Sequence, residues 1–230
     1  MKTYLVPFVC LVLGFSGCLA SSPAPIKETL LIEKSAEQEK NLTRIENEIV
    51  VINQENNKVK ESLKITAQKV VISEKELSGL EKEATLLTEK KKLHVISDDT
   101  RALGEVEKAM VDNQQKINIE KLKLAYLKAK KDYEEADVEL KESELSVKIA
   151  ELNYEKARIA RAFQDRTMGE IPADPKTGKK DEKSRIDVSV YEKYHASMKE
   201  RAANNRQKYL KYADTFKMAE ARLAESGYGK

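Results

Sequence analysis

From Ile26 to Arg166 the chain carries no proline, and glycine occurs there only at Gly79 and Gly104. A proline inside a helix removes a backbone donor and clashes with the preceding turn, so this whole stretch is free to run as helix. A regular apolar seam runs along it. From Leu42, alternate steps of three and four residues land on Leu42, Ile45, Ile49, Ile52, Asn56, Val59, Leu63, Thr66, Val70, Ser73, Leu77, Leu80, Ala84 and Leu87. Eleven of these fourteen positions are apolar. A 3.5-residue period held over six heptads is the signature of a coiled coil. Ala, Glu, Leu, Lys and Arg supply 115 of the 230 residues, and there is no Trp. That composition fits long helices and argues against a sheet-based enzyme fold.

Three polar residues, Asn56, Thr66 and Ser73, interrupt the seam. A buried Asn fixes helix register at some cost in stability, whereas polar contacts in a hydrated, loosely packed pair carry no such role. Both readings are open from the residues alone. The periodicity fades at Lys90-Lys-Lys-Leu-His94, and Ser97-Asp98-Asp99-Thr100 offers helix-capping side chains, so the spacing predicts helix one over 28–93, a turn over 94–99 and helix two over 100–166. With no Gly or Pro in the turn, one uninterrupted helix is the alternative.

Helix two has two apolar faces. One column recurs every seven residues as Leu103, Met110, Ile117, Leu124, Lys131, Val138, Leu145, Leu152 and Ile159. A second stripe begins midway and alternates large with small residues: Leu122, Tyr126, Ala129, Tyr133, Ala136, Leu140, Ser143, Val147, Ala150, Tyr154 and Ala157. Two residues are about 200° of helical rotation, so the faces need different partners. Residues 167–186 contain Pro172, Pro175, Gly169 and Gly178 and read as a loop. Helical spacing returns in Tyr191, His195, Met198, Ala202, Asn205, Tyr209, Tyr212, Phe216, Ala219 and Leu223, which predicts helix three over 187–226 and a tail over 227–230. Folded back antiparallel, such a helix reaches the neighbourhood of Tyr126. The expected architecture is all-α: a long antiparallel coiled-coil hairpin with a shorter third helix, thick at one end and thin at the other.

The first residues carry an address. Met1-Lys2-Thr3 precedes an apolar run from Tyr4 to Leu13, too short for the roughly 20 residues that span a bilayer and suited to a signal peptide over 1–17. It ends Gly14-Phe15-Ser16-Gly17-Cys18, which resembles the relaxed lipobox of spirochaetal-type bacterial lipoproteins. That resemblance implies lipidation of Cys18, with 18–27 as a tether to the outer membrane. Cleavage after Ala20, releasing a soluble exported protein, is the alternative. The terminal Tyr228-Gly229-Lys230 is similar to the end of the major outer-membrane (Braun) lipoprotein, and implies peptidoglycan attachment through Lys230.

The chain offers few groups for catalysis. The histidines are His94 and His195, neither with a metal-binding neighbour, and Cys10 and Cys18 both lie in the leader region. No cofactor, metal or catalytic residue is expected. Charged residues read as solvated faces with pairs such as Glu144 to Lys148. A net charge of +3 excludes a dedicated nucleic-acid binder. The expected function is therefore non-catalytic: a lipid-anchored helical spacer or binding scaffold of the cell envelope, facing the periplasm or the outside. Its partners would be the membrane, a protein or a second copy, and peptidoglycan. An adhesin-like surface protein contacting partners through its distal turn, and a periplasmic coiled-coil chaperone, are the alternatives.

Overall fold

A computed structural model describes residues 22–167 and 185–227. They form three helices, α1 (Ala36–Ile96), α2 (Thr100–Thr167) and α3 (Val188–Glu225), after a 3-10 turn at Glu28–Leu30. There is no strand among the described residues. At 1.5 Å per residue, 61 residues make α1 about 92 Å long, 68 make α2 about 102 Å and 38 make α3 about 57 Å. The fold is an elongated all-α one.

Helix one starts at Ala36 rather than at 28. Ser35 and Gln38 form a capping box: the Ser35 hydroxyl accepts from the Gln38 N–H at 3.2 Å, and the Gln38 side chain accepts from the Ser35 N–H at 2.8 Å. Two otherwise unsatisfied donors are met there, which fixes the helix start and leaves residues 31–35 to turn the chain. The hairpin needs no glycine because Asp98 takes the left-handed backbone, φ 55°, a conformation Asp tolerates better than most residues. Asp99 then caps α2 by accepting from the Ala102 N–H at 3.0 Å. These contacts end α1 at Ile96, so the uninterrupted helix does not form.

α2 packs along α1 on one side and α3 on the other. Among the described residues the backbones of α1 and α3 do not meet. The three helices therefore lie side by side with α2 in the middle, and burial is organised as two helix–helix seams rather than around one central core. Among the described residues one cluster of buried apolar side chains, Leu31, Leu42, Ile159 and Ala160, sits where the 3-10 turn folds over the α1–α2 pair. α3 runs antiparallel to α2 and covers the half remote from the hairpin turn, bringing Phe216 to Tyr126 with ring centroids 5.5 Å apart.

Candidate functional site

The α1–α2 seam follows the predicted positions, all fourteen of which are buried or half-buried. Its deepest members include the polar ones: Asn56, Thr66 and Ser73 are 3%, 2% and 0% exposed, so they are not hydrated surface contacts. Their environment comes from a column on α2 that apolar periodicity does not reveal, Asn113, Glu120, Leu127, Glu134, Lys141 and Lys148, again seven apart. The Ser73 hydroxyl donates to Glu120, and the Ser62 hydroxyl donates to Glu134 at 2.6 Å. Asn113 donates its side-chain amide to the Leu80 carbonyl at 3.0 Å. The remaining oxygens are less well met: Glu134 Oε2, Asn56 Oδ1 and Asn113 Oδ1 are buried without a hydrogen-bond partner.

Toward the three-helix end the same column turns basic and reaches acids on α1. Lys141 meets Glu55 at 2.8 Å and Lys148 meets Glu48 at 2.7 Å, while Lys123 meets Glu76 at 2.7 Å. The bond to Glu55 raises the Lys141 pKa, and the bond to Glu76 raises that of Lys123. Lys148 bonds Glu48 on α1 and Glu151 within α2, and Glu144 lies 3.5 Å from Lys141, so the expected Glu144–Lys148 pair gives way to other partners, one of them on the neighbouring helix. A slip of one heptad would bring Lys148 to Glu55 or Lys141 to Glu48, so the register is held instead by the Ser62–Glu134 and Ser73–Glu120 bonds, which such a slip would break.

The second face of α2 is filled by α3. Tyr126, Ala129, Tyr133, Ala136, Leu140, Ala150 and Tyr154 are all buried or half-buried there, Ala136 and Ala150 to 1% exposure. Tyr133 is the centre of an aromatic group. It stacks on Phe216 at 5.3 Å with 13° between planes, and its hydroxyl lies 2.8 Å from that of Tyr209. Burial, then the Tyr209 hydroxyl, raise its pKa. The alanines allow α3 to approach closely, and Lys208 ties the edge to Glu139 at 2.6 Å.

The N-terminal segment is bound into this thick end. The Tyr191 hydroxyl donates to the Ala24 carbonyl at 2.7 Å, and Lys156 reaches Glu28 at 3.4 Å. Gln164 accepts from the Ile186 N–H at 2.9 Å, which secures the start of α3 on α2. Cys18, Lys230 and most of the 167–186 loop lie outside the described residues.

His94 lies in the last turn of α1. His195 stacks on Tyr154 at 6.1 Å in the α2–α3 seam, and its Nε2 is buried without a partner. Burial, aided by the Lys199 charge, holds its pKa below 6.5. Burial likewise raises the pKa of Asp137. An open groove of about 420 Å³ runs between α1 and α3, with Ile52, Leu140 and Val147 along it and Lys199 and Arg206 at its edge. Among the described residues no His, Cys, Asp or Glu group has the arrangement of a metal site, and no helix is long and apolar enough to cross a membrane. What the arrangement offers chemically is rigid length and extended, open surface. No protein-family model, curated protein or solved structure matches this chain.

Proposed function

We propose that this protein is a non-catalytic envelope spacer, lipidated at Cys18 and held at the bacterial outer membrane, that carries a binding surface away from it. The observation that supports this reading is the position of Ala24, six residues beyond Cys18, against Tyr191 at the three-helix end. An anchor at Cys18 would hold the thick end near the lipid and leave the hairpin turn about 90 Å away. Several acyl chains, each stabilised by about 0.8 kcal/mol per buried CH₂, would make such an attachment effectively permanent.

The test is fractionation of cells grown with labelled palmitate. The wild-type chain is expected in the membrane fraction with label, and Cys18→Ala in the soluble fraction without it. A Cys18→Ala protein that still sediments with membranes and carries label refutes the anchor. A second reading, adhesin-like contact through the distal turn, draws on the exposure of Leu93 (65%) and Ile96 (82%) at that tip. Protease treatment of intact cells decides it: removal of the tip supports a surface protein, and survival until the outer membrane is opened supports a periplasmic one. A muropeptide adduct on Lys230 after lysozyme digestion would identify peptidoglycan as a further attachment.

A further inference from the structure

The outer face of α1 carries a second heptad column that no part of the described chain covers: Val51, Lys58, Ile65, Ile72, Gly79, Leu86 and Leu93. Val51, Ile65, Ile72, Leu86 and Leu93 are 52%, 52%, 53%, 55% and 65% exposed, and Val50 and Val71 broaden the strip. α3 packs against α2 and leaves this face open. We infer that the strip is an interface for a second copy of this chain, with the two α1 helices antiparallel and the two-fold axis at Ile72.

The choice of occupant and register comes from charge. With the axis at Ile72, Glu61 faces the partner's Lys82, while Lys69 faces the partner's Glu76 and Lys90 faces the partner's Glu55, two carboxylates that also hold Lys123 and Lys141 within their own chain. Each of these pairs occurs twice by symmetry. Ile72 meets itself, Val51 meets the partner's Leu93, and the stem of Lys58 lies over the partner's Leu86. No like charges face one another. A shift of one heptad either way loses this: one direction sets Glu55 against Glu83 and Lys69 against itself, and the other sets Glu76 and Lys75 each against itself. A parallel pair in register is worse, because Lys58, inside the strip, would meet its own copy and Gly79 would lie against Gly79 with no side chain to fill the gap. Among the described residues Glu61, Lys69, Lys82 and Lys90 have no ion-pair partner within the chain.

Gly79 supports the same register. Glycine weakens a helix interior, and a Cβ at this position would touch nothing within 4 Å, so packing inside the chain does not call for it. In the proposed pair it lies opposite the partner's Ile65, where the absent side chain lets the helices close. A strip from Val51 to Leu93, roughly 63 Å long and about 10 Å wide on each copy, amounts to about 1,200 Å² in total. That reaches the lower end of the 1,200–2,000 Å² range of stable, specific protein interfaces, roughly.

The full chain carrying Cys10→Ser and Cys18→Ser serves as the background, which also makes the test independent of the anchor. In it, Ile72→Cys is expected to give a dimer with a short bismaleimide. Ile65→Cys alone gives none, because its two copies lie about 21 Å apart along the axis. A mixture of Ile65→Cys and Gly79→Cys chains does cross-link. By sedimentation, Glu61→Lys weakens association about tenfold, and Glu61→Lys with Lys82→Glu restores it. Circular dichroism should show unchanged helix relative to the background in all variants, since every position substituted on α1 is exposed. A monomer at all concentrations with no Ile72→Cys dimer overturns the proposal, as does Ile65→Cys cross-linking with itself, which would mean a parallel pair.

Discussion

Glu134 offers a direct measurement of what the polar seam costs. Its side chain is buried to 6% exposure, with one oxygen bonded to Ser62 at 2.6 Å, the other without a partner, and Lys130 only at 4.0 Å. A hydrogen bond to a charged group contributes about 1.5–3 kcal/mol. Taking an ion out of water costs several kcal/mol, and here only part of that is returned. Glu134→Leu removes both effects and adds an apolar side chain to a seam that is otherwise mainly aliphatic. The expected result is a gain of about 2 kcal/mol, against a loss of about 1.5–3 kcal/mol for Ser62→Ala, which strips the carboxylate of its one good partner. In a chain of this size 2 kcal/mol corresponds to roughly 4–8 °C in Tm. Thermal melts of both variants and of the double variant close a mutant cycle, and amide exchange on α1 near Ser62 reports the local effect. If Glu134→Leu lowers Tm, or Ser62→Ala leaves it unchanged, the carboxylate is satisfied by something the bond to Ser62 does not represent, and the reasoning fails.

Other expectations concern the remaining seam and the turn. Ala150→Leu forces a large side chain into the close approach of α2 and α3 and should cost about 1–3 kcal/mol, read as faster proteolysis within α3. Tyr133→Phe, which keeps the ring and loses the hydroxyl pair with Tyr209, should cost about 1 kcal/mol, and Tyr133→Ala about 3–5 kcal/mol in a chemical-denaturation titration. His195 faces Lys148, Glu151, Glu155 and Lys199, and burial favours its neutral ring. Docking of α3 should therefore be independent of this group above pH 6.5 and weaken as pH falls from there through the depressed folded-state value. His195→Phe should flatten that slope in a pH series of melts. Asp98→Gly should stabilise the hairpin turn by about 0.5–1 kcal/mol, and Asp98→Val should destabilise it by about 1–2 kcal/mol, since a β-branched side chain resists positive φ.

The parts of this fold that were legible in the sequence are those written in apolar spacing. The fourteen seam positions of α1 and the Tyr126–Tyr154 stripe of α2 occupy interfaces because a 3.5-residue apolar period leaves a long helix little choice of face. The Asn113–Lys148 column is invisible to the same rule: all its members but Leu127 are polar, and spacing that counts apolar residues passes over them. Their partners on α1 were the clue, since Asn56, Thr66 and Ser73 at seam positions imply polar groups opposite. The start of α1 was also written locally, in the Ser35-x-x-Gln38 box, but continuous helical composition from residue 28 masked it. Glu144–Lys148 shows a different failure: helical spacing permits that pair, and only the neighbouring helix decides that Glu48 takes Lys148 instead.

The side-by-side arrangement of the helices has a mechanical consequence. A layer one helix thick resists bending within its own plane, where α1 and α3 would have to stretch or compress on either side of α2, and yields far more readily perpendicular to it. Its stiffness also drops where α3 ends at Glu225, about 14 Å beyond the contact of Phe216 with Tyr126. A load applied at the hairpin turn would thus be absorbed as flexure of the two-helix arm in one direction, like a leaf spring clamped at its broad end, with the aromatic group around Tyr133 just inside the clamp.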